Sequence, residues 1–197
     1  MPINHSLPQW NYYRMLEGDL ENAFRYIQPS PDHYGVYSDH FSMIILAASA
    51  EIENALNSIA HHISYTPKPN GILQYHACVT SRYSLFCDTE FAMPRFNGKF
   101  KPWKDWSDTT APDWWTNGYN KIKHDRLSNP KAPTLERALN SVAALQSLLL
   151  HYYRLLIPSV TMPSELEPRL FRLEENVNEL NFSGTSWRWE LPNERAA

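Results

Sequence analysis

The sequence predicts a mainly α fold, an antiparallel helical bundle that carries a small β-hairpin insertion. In two long stretches, residues 38–63 and 134–157, apolar residues recur every three or four positions, which is the period of a helix with one buried face. Between residues 90 and 103 the spacing changes to that of short strands around Asn97 and Gly98. Because two apolar helix faces need each other to leave water, these observations together indicate a bundle.

Six helices are predicted in chain order. The first ends before Pro29, because proline has no N–H with which to continue a helix. Ser38 is expected to cap the second helix, and Pro112 suits the first turn of the fourth. Ser164 begins a capping box for the last helix. The predicted helices cover residues 11–28, 38–63, 75–86, 112–127, 134–157 and 164–184.

The second and fifth of these helices are expected to form the centre of the core. The insertion at residues 90–103 is predicted to be a hairpin, because an Asn-Gly pair readily supplies the backbone angles of a tight turn. The aromatic tail at residues 182–197 contains Trp187 and Trp189, whose spacing fits either a short strand or a docking segment. The residues expected to share one core are Ile52, Leu56, Leu139, Val142, Leu145 and Leu149.

Length and composition indicate a single helical domain over residues 1–197. Hydrophobic residues make up 43% of the chain and charged residues 20%, which is sufficient for a hydrophobic core. No apolar stretch approaches the roughly 20 residues that cross a bilayer, and the N-terminus lacks the pattern of a signal peptide. Cys78 and Cys87 are therefore expected to be reduced thiols in a cytoplasmic protein without membrane contact.

The charge balance limits how the chain can bind nucleic acid. A net charge of -3 and an isoelectric point near 6.2 exclude a surface that coats nucleic acid broadly, so any contact with RNA must be local. The densest local source of cations is the run WWTNGYNKIKHDR at residues 114–126. We therefore take this run as the candidate functional segment.

On a helix, the polar side chains of this run fall on two adjacent strips. Asn120, Lys123 and His124 share one side by their three- and four-residue spacing, and Tyr119, Lys123 and Arg126 line the next. An imidazole can transfer a proton, and neighbouring cations can stabilise charge that develops on phosphoryl oxygens. The spacing thus predicts a site for chemistry at a phosphate.

The remaining residues of the run have two interpretations. Trp114, Trp115 and Tyr119 are either core residues or, together with Lys121, a substrate-binding wall for RNA bases. Their neighbours His124 and Arg126 are either catalytic or merely ion-paired across the bundle. The expected acidic partners are Glu51 and Glu53, because a carboxylate on an apolar helix needs a cation within hydrogen-bonding reach.

Other chemistry has little support in the sequence. Glu51, Glu53, His61 and His62 diverge from one another on a helix, so a metal site is not expected. The chain contains no phosphate-binding glycine loop, no nucleophile elbow and no paired Cys-x-x-Cys motif, so no cofactor is predicted.

The order of these features resembles the HEPN superfamily of helical bacterial proteins. The resemblance covers residues 13–153 and depends on four segments, LEGDLENAFRYI, VYSDHFSMIILAASAEIENAL, KPWKDW and PDWWTNGYNKIKHDR, of which YNKIKHDR is the most specific. It implies a helical bundle that often dimerises. It also implies a metal-independent ribonuclease or toxin effector of toxin-antitoxin or phage-defence systems.

The resemblance also implies individual roles within YNKIKHDR. His124 would be the general acid/base, Lys123 and Arg126 would stabilise the transition state, and Asn120 would orient these groups. The family signature places an arginine shortly before its histidine, where this chain has Tyr119 and the two residues before it. Two functions therefore stay open, a ribonuclease and a non-catalytic helical module that binds RNA or a partner protein in a defence or regulatory assembly.

Overall fold

The computed structural model describes residues 7–68, 70–157 and 166–173, together with the backbone of residues 180–183 and 186–189. Most of the described chain is helical, and one small sheet contains the predicted hairpin, so the predicted mainly α class with a small hairpin is confirmed. The α-helices are α1 (Pro8–Ala23), α2 (Asp39–His62), α3 (His76–Thr80), α4 (Asn120–Asp125) and α5 (Leu135–Leu156), with a π-helix at Trp114–Tyr119 directly before α4.

Side-chain caps fix the starts of the two central helices. The Ser38 hydroxyl accepts the N–H of Phe41 at 3.2 Å, and the Thr134 hydroxyl accepts the N–H of Arg137 at 3.3 Å. Each cap satisfies an N–H that has no partner within its helix. Because Tyr37 forms a β-bridge with Thr134, α2 and α5 begin side by side.

The interface between α2 and α5 is the centre of the core. All six residues predicted to share a core have no exposed surface, and they belong to one hydrophobic cluster, which confirms that prediction. Helix α1 runs in the opposite direction to α5, because Gln9 contacts Tyr153 and Tyr13 contacts Gln146, each at 3.0 Å. The three long helices thus bury one continuous apolar volume.

The predicted hairpin is present. Strand β1 (Phe91–Met93) pairs in antiparallel register with β2 (Gly98–Phe100), and Asn97 adopts the left-handed conformation with φ of 54°, which the turn requires. Strand β3 (Arg172–Leu173) adds to the other edge of β1. A separate antiparallel pair consists of β4 (Leu180–Ser183) and β5 (Ser186–Trp189).

The prediction of a last helix at residues 164–184 is wrong for the described residues. The backbone N–H groups of Arg169 and Leu170 donate to the Glu17 carboxylate instead of to helical carbonyls, and β3 then pairs with β1. The sequence pattern contained no sign of these distant partners. Its predicted start at Ser164 lies outside the described residues, as does the tail from residue 190 onwards, whereas Trp187 and Trp189 lie in a strand, one of the two predicted alternatives.

Three other predicted boundaries also change. Helix α1 covers Pro8–Ala23 instead of residues 11–28, because Pro8 fits its first turn and the chain turns at Phe24. The helix predicted at residues 75–86 is reduced to α3, preceded by a 3₁₀ turn at Gly71–Tyr75. The helix predicted at residues 112–127 is divided into the π-helix and α4.

Glu17 joins the C-terminal segment to α1 from inside the core. It is 1% exposed, accepts the Tyr13 hydroxyl and the Arg169 N–H, each at 2.9 Å, and pairs with Arg14 at 3.0 Å. Burial raises the pKa of Glu17, against the lowering effect of its hydrogen bonds and of Arg14. A buried acid with this many donors is a structural connection whose loss would leave several N–H and O–H groups unpaired.

Replacing Glu17 by Ala should lower the free energy of unfolding by about 3 kcal/mol at pH 7, because the orphaned donors stay buried. Urea denaturation measures this change. Glu21→Ala, one turn along the same helix, is the control and should cost less than about 0.5 kcal/mol. Equal losses for the two variants would show that Glu17 does not hold the segment.

His151 is a second buried titratable group, 3% exposed. Its Nδ1 lies 2.7 Å from the Ser147 carbonyl oxygen, and its ring meets the edges of Tyr83 and Phe86. Burial lowers its pKa to about 4 from an ordinary value of 6.5. The native state therefore holds this imidazole neutral where the unfolded chain already binds a proton.

This difference predicts how stability depends on pH. Above pH 6.5 His151 is neutral in the folded and the unfolded protein and does not lower the free energy of unfolding. As pH falls toward 4, protonation of His151 in the unfolded chain should lower the free energy of unfolding by about 3 kcal/mol. His151→Gln should remove this part of the dependence of stability on pH. The measurement is the free energy of unfolding of the parent minus that of the variant, at several pH values between 4 and 6.5. Parallel profiles for the two proteins would contradict a neutral buried His151.

Candidate functional site

The candidate segment begins with a helical irregularity. Residues Trp114–Tyr119 form a π-helix that continues directly into α4. Such wide turns are rare, and they occur frequently at functional sites. Neither composition nor apolar spacing distinguishes this turn from an ordinary helix, so it could not be predicted from the sequence.

The aromatic residues of the segment are part of the core. Trp114, Trp115 and Tyr119 are 3%, 4% and 4% exposed, and their rings contact one another in sequence. The Trp114 indole also donates to the Pro102 carbonyl at 2.7 Å. With their faces covered by protein, they cannot form an open wall for RNA bases, so the packing alternative is the correct one.

The Tyr119 hydroxyl contacts two charged side chains, those of Lys123 and Glu53. It accepts a hydrogen bond from Lys123 Nζ at 2.9 Å, and Glu53 Oε2 lies 3.4 Å from it. The Lys123 ammonium also lies 4.8 Å from the centre of the Tyr119 ring, a cation–π distance. The hydroxyl therefore joins Lys123 to Glu53, in place of the direct ion pair that the sequence predicts.

These contacts keep Lys123 charged. The hydrogen bond from Lys123 to Tyr119 raises the pKa of the lysine most, and the charge of Glu53 adds to the rise, against a smaller lowering by desolvation. The ammonium group is thus a cation with a defined position. Ordering a long side chain in this way reduces the entropy that would be lost on binding an anion.

The other predicted ion pairs take different partners. Arg126 binds Asp39 at 2.9 Å, so its predicted pairing with Glu51 or Glu53 is wrong. Glu51 accepts from the Asn54 amide at 3.3 Å. Burial first, and in small part the charge of Glu51, raise the pKa of Tyr153 to about 12. Glu51 thus has its hydrogen-bond partner on its own helix in place of the predicted cation.

His124 is exposed in the last turn of α4. Within the part of the chain that the structure describes, its ring has no hydrogen-bond partner. Asn120 lies one turn earlier and is half-buried, while Lys121 and Lys123 are exposed. An exposed imidazole therefore follows directly, on the same short helix, a lysine whose ammonium group is held on Tyr119. These are the two kinds of group that proton transfer near a phosphate needs.

Two polar residues extend this site along α2. The Tyr75 hydroxyl donates to the Asn57 side chain, and burial together with the charge of Glu53 raises the pKa of Tyr75. Asn57 stands four residues after Glu53, so the two share a helix face. That spacing was visible in the sequence, whereas the approach of Tyr75 depends on tertiary packing.

The described residues contain no group of three or more His, Cys, Asp or Glu side chains placed to hold a metal ion. Cys78 and Cys87 are free thiols, and burial raises the pKa of each to about 11. None of the helices in the described ranges combines the length and the apolar character that a membrane span requires.

Comparison of the chain with models of known protein families, with characterised proteins and with solved structures finds no match. The site is therefore assessed on its own geometry.

Tyr119→Phe should lower the pKa of Lys123 toward its ordinary value, because it removes the hydroxyl that accepts the lysine's hydrogen bond. An NMR titration of the lysine side chains measures this pKa, and Tyr65→Phe, which removes another half-buried hydroxyl, is the control. An unchanged Lys123 titration in a folded Tyr119→Phe protein would mean that the contact does not exist in solution.

Proposed function

We propose that this protein is a metal-independent ribonuclease that acts in the cytoplasm, as a HEPN-like toxin or phage-defence effector. The observation that carries the proposal is the exposed His124 imidazole on the same short helix as the Lys123 ammonium, which Tyr119 holds in place. The sequence resemblance to HEPN proteins supports it at the same residues.

The proposed chemistry follows from the groups that are present. His124 removes the proton from an RNA 2′-hydroxyl, the 2′-oxygen attacks the adjacent phosphorus, and the bond from phosphorus to the 5′-oxygen of the next nucleotide breaks. The departing 5′-oxygen takes a proton from water to become a 5′-hydroxyl. Lys123 stabilises the extra negative charge on the phosphoryl oxygens in the transition state, and Asn120 orients the reacting groups. The products would carry a 2′,3′-cyclic phosphate and a 5′-hydroxyl.

The position of Tyr119 accounts for the missing arginine of the HEPN signature. Tyr119 stands where the resemblance implies that cation, and its hydroxyl and ring hold the Lys123 ammonium one turn further along the helix. Lys123 would thus supply the positive charge from a neighbouring position. Lysine offers one compact charge in place of the planar fork of arginine, so phosphate binding would be less directional.

Arg126 can contribute a second cation to the same surface. Its ion pair with Asp39 is open to solvent, with side chains 53% and 83% exposed, and such pairs contribute about 1 kcal/mol or less. A phosphate can therefore replace the carboxylate at little cost. Together, Lys121, Lys123 and Arg126 concentrate positive charge on an otherwise acidic protein, which is where RNA would bind.

A second candidate function, a non-catalytic module that binds a partner protein or a second copy of the chain, has one specific observation in its favour. Large apolar side chains are exposed around the start of α2, namely Tyr26 at 88%, Tyr37 at 47% and Met43 at 69%. Leu127, 94% exposed, follows the Arg126 that pairs with Asp39. Clustered apolar exposure of this kind is typical of a protein-binding surface.

Cleavage of RNA in excess EDTA distinguishes the two functions. The parent protein should cut total RNA, and His124→Ala should reduce the rate by about 100-fold or more, which is the usual contribution of a general acid/base. Arg126→Ala should weaken RNA binding and turnover together. The matched control is His62→Ala, which removes another exposed imidazole and should leave the rate unchanged.

Two results would contradict the ribonuclease proposal. If the parent leaves RNA intact in EDTA, or if His124→Ala cuts as fast as the parent, the ribonuclease proposal fails. The exposed apolar surface at the start of α2 then becomes the better guide to function. Circular dichroism of each variant would verify that the helices persist.

A further inference from the structure

A cleft of about 590 Å³ lies beside the first residue of the π-helix. Its apolar floor contains Phe100, Pro102, Pro112 and Trp114, all buried residues. Its rim is formed by charged side chains from two other parts of the chain, the segment that begins at β2 and the first two turns of α5. This volume falls within the range of about 300–1,000 Å³ that is usual for small-molecule sites.

The walls of the cleft are fixed by hydrogen bonds from two buried indoles and from the partly buried Arg137 guanidinium. Trp103 donates to the Ala144 carbonyl at 3.2 Å and Trp114 to the Pro102 carbonyl at 2.7 Å, so the segment after β2 is tied to α5 and to the π-helix. Arg137 donates to Asp113 at 2.8 Å. The cleft is therefore formed before any ligand arrives, which lowers the entropic cost of binding.

The wall that starts at β2 carries three lysines, with the carboxylates of Glu90 and Asp105 beside them. Lys99 and Lys101 lie 3.9 Å and 3.6 Å from Glu90. Lys104 makes no ion pair with any carboxylate in the described ranges. This wall can therefore accept an anionic group.

The wall supplied by α5 has the opposite character. Glu136 is exposed and has no cationic partner among the residues that the structure describes. It lies near Tyr34, whose pKa is raised by burial and by the charge of Glu136. A carboxylate in this position accepts hydrogen bonds, so it would select a ligand that carries hydroxyl or amino groups.

We propose that this cleft binds a nucleoside phosphate. The phosphate would contact Lys101 and Lys104, and the ribose hydroxyls or a base amino group would donate to Glu136. The base would fill the cleft between these two groups, above its apolar floor. The nucleotide comes either from a free pool or from an RNA strand, and in the second case the inference rests on the proposed ribonuclease function.

Isothermal titration calorimetry with the full chain tests the proposal. The probes are AMP, GMP, CMP and UMP, a six-nucleotide RNA that carries a 2′-O-methyl group at every position to prevent cleavage, and inorganic phosphate. Lys104→Ala and Glu136→Gln should each lower the affinity for the tightest-binding nucleotide by about tenfold, since each removes a charge-assisted hydrogen bond. Lys68→Ala, which alters an exposed lysine elsewhere, should not.

Each outcome decides between the sources or overturns the proposal. Binding of mononucleotides that is sensitive to both cleft variants supports a free nucleotide, and binding of the RNA alone with the same sensitivity supports a strand. No binding, affinity unchanged in both cleft variants, or inorganic phosphate bound as tightly as the nucleotides would overturn it. Because these readouts do not involve cleavage, a failure here is distinguishable from a failure of the ribonuclease proposal.

Discussion

The packing of α2 against α5 is the constraint on which the rest of the structure depends. Both helices are capped at their starts, and their apolar faces leave no exposed surface at six central positions. Helix α1 closes this pair, and Glu17 on α1 then fixes the C-terminal segment. The candidate site lies against the same pair, since Tyr119 meets Glu53 of α2 and Asp113 meets Arg137 of α5.

The candidate segment has buried aromatic residues that anchor it in the core and polar residues that face outward. Burial of Trp114, Trp115 and Tyr119 anchors the π-helix in the core, and this anchoring directs the polar residues of α4 outward. Tyr119 serves both purposes, because its ring is buried while its hydroxyl positions Lys123. A change that loosened the aromatic residues would therefore also displace the cation beside His124.

How far the sequence predicts this structure depends on whether a feature is local. The cap at Ser38, the Asn97 turn and the two central helices depend on nearby residues, and the structure has them where patterns and propensities place them. The absence of a last helix follows from the distant carboxylate of Glu17. The pairing of Arg126 with Asp39, the π-helix and the cleft also depend on tertiary contacts, which spacing along the chain does not contain.

In the proposed mechanism, His124 and Lys123 promote attack by the RNA 2′-hydroxyl without a metal ion. Mass spectrometry of the fragment ends, after incubation of a defined RNA in excess EDTA, tests this mechanism. It should detect 3′ fragments that begin with a 5′-hydroxyl and 5′ fragments that end in a 2′,3′-cyclic phosphate, and neither with His124→Ala. Fragments that end in a 3′-hydroxyl, or intact RNA with the parent protein, would contradict it.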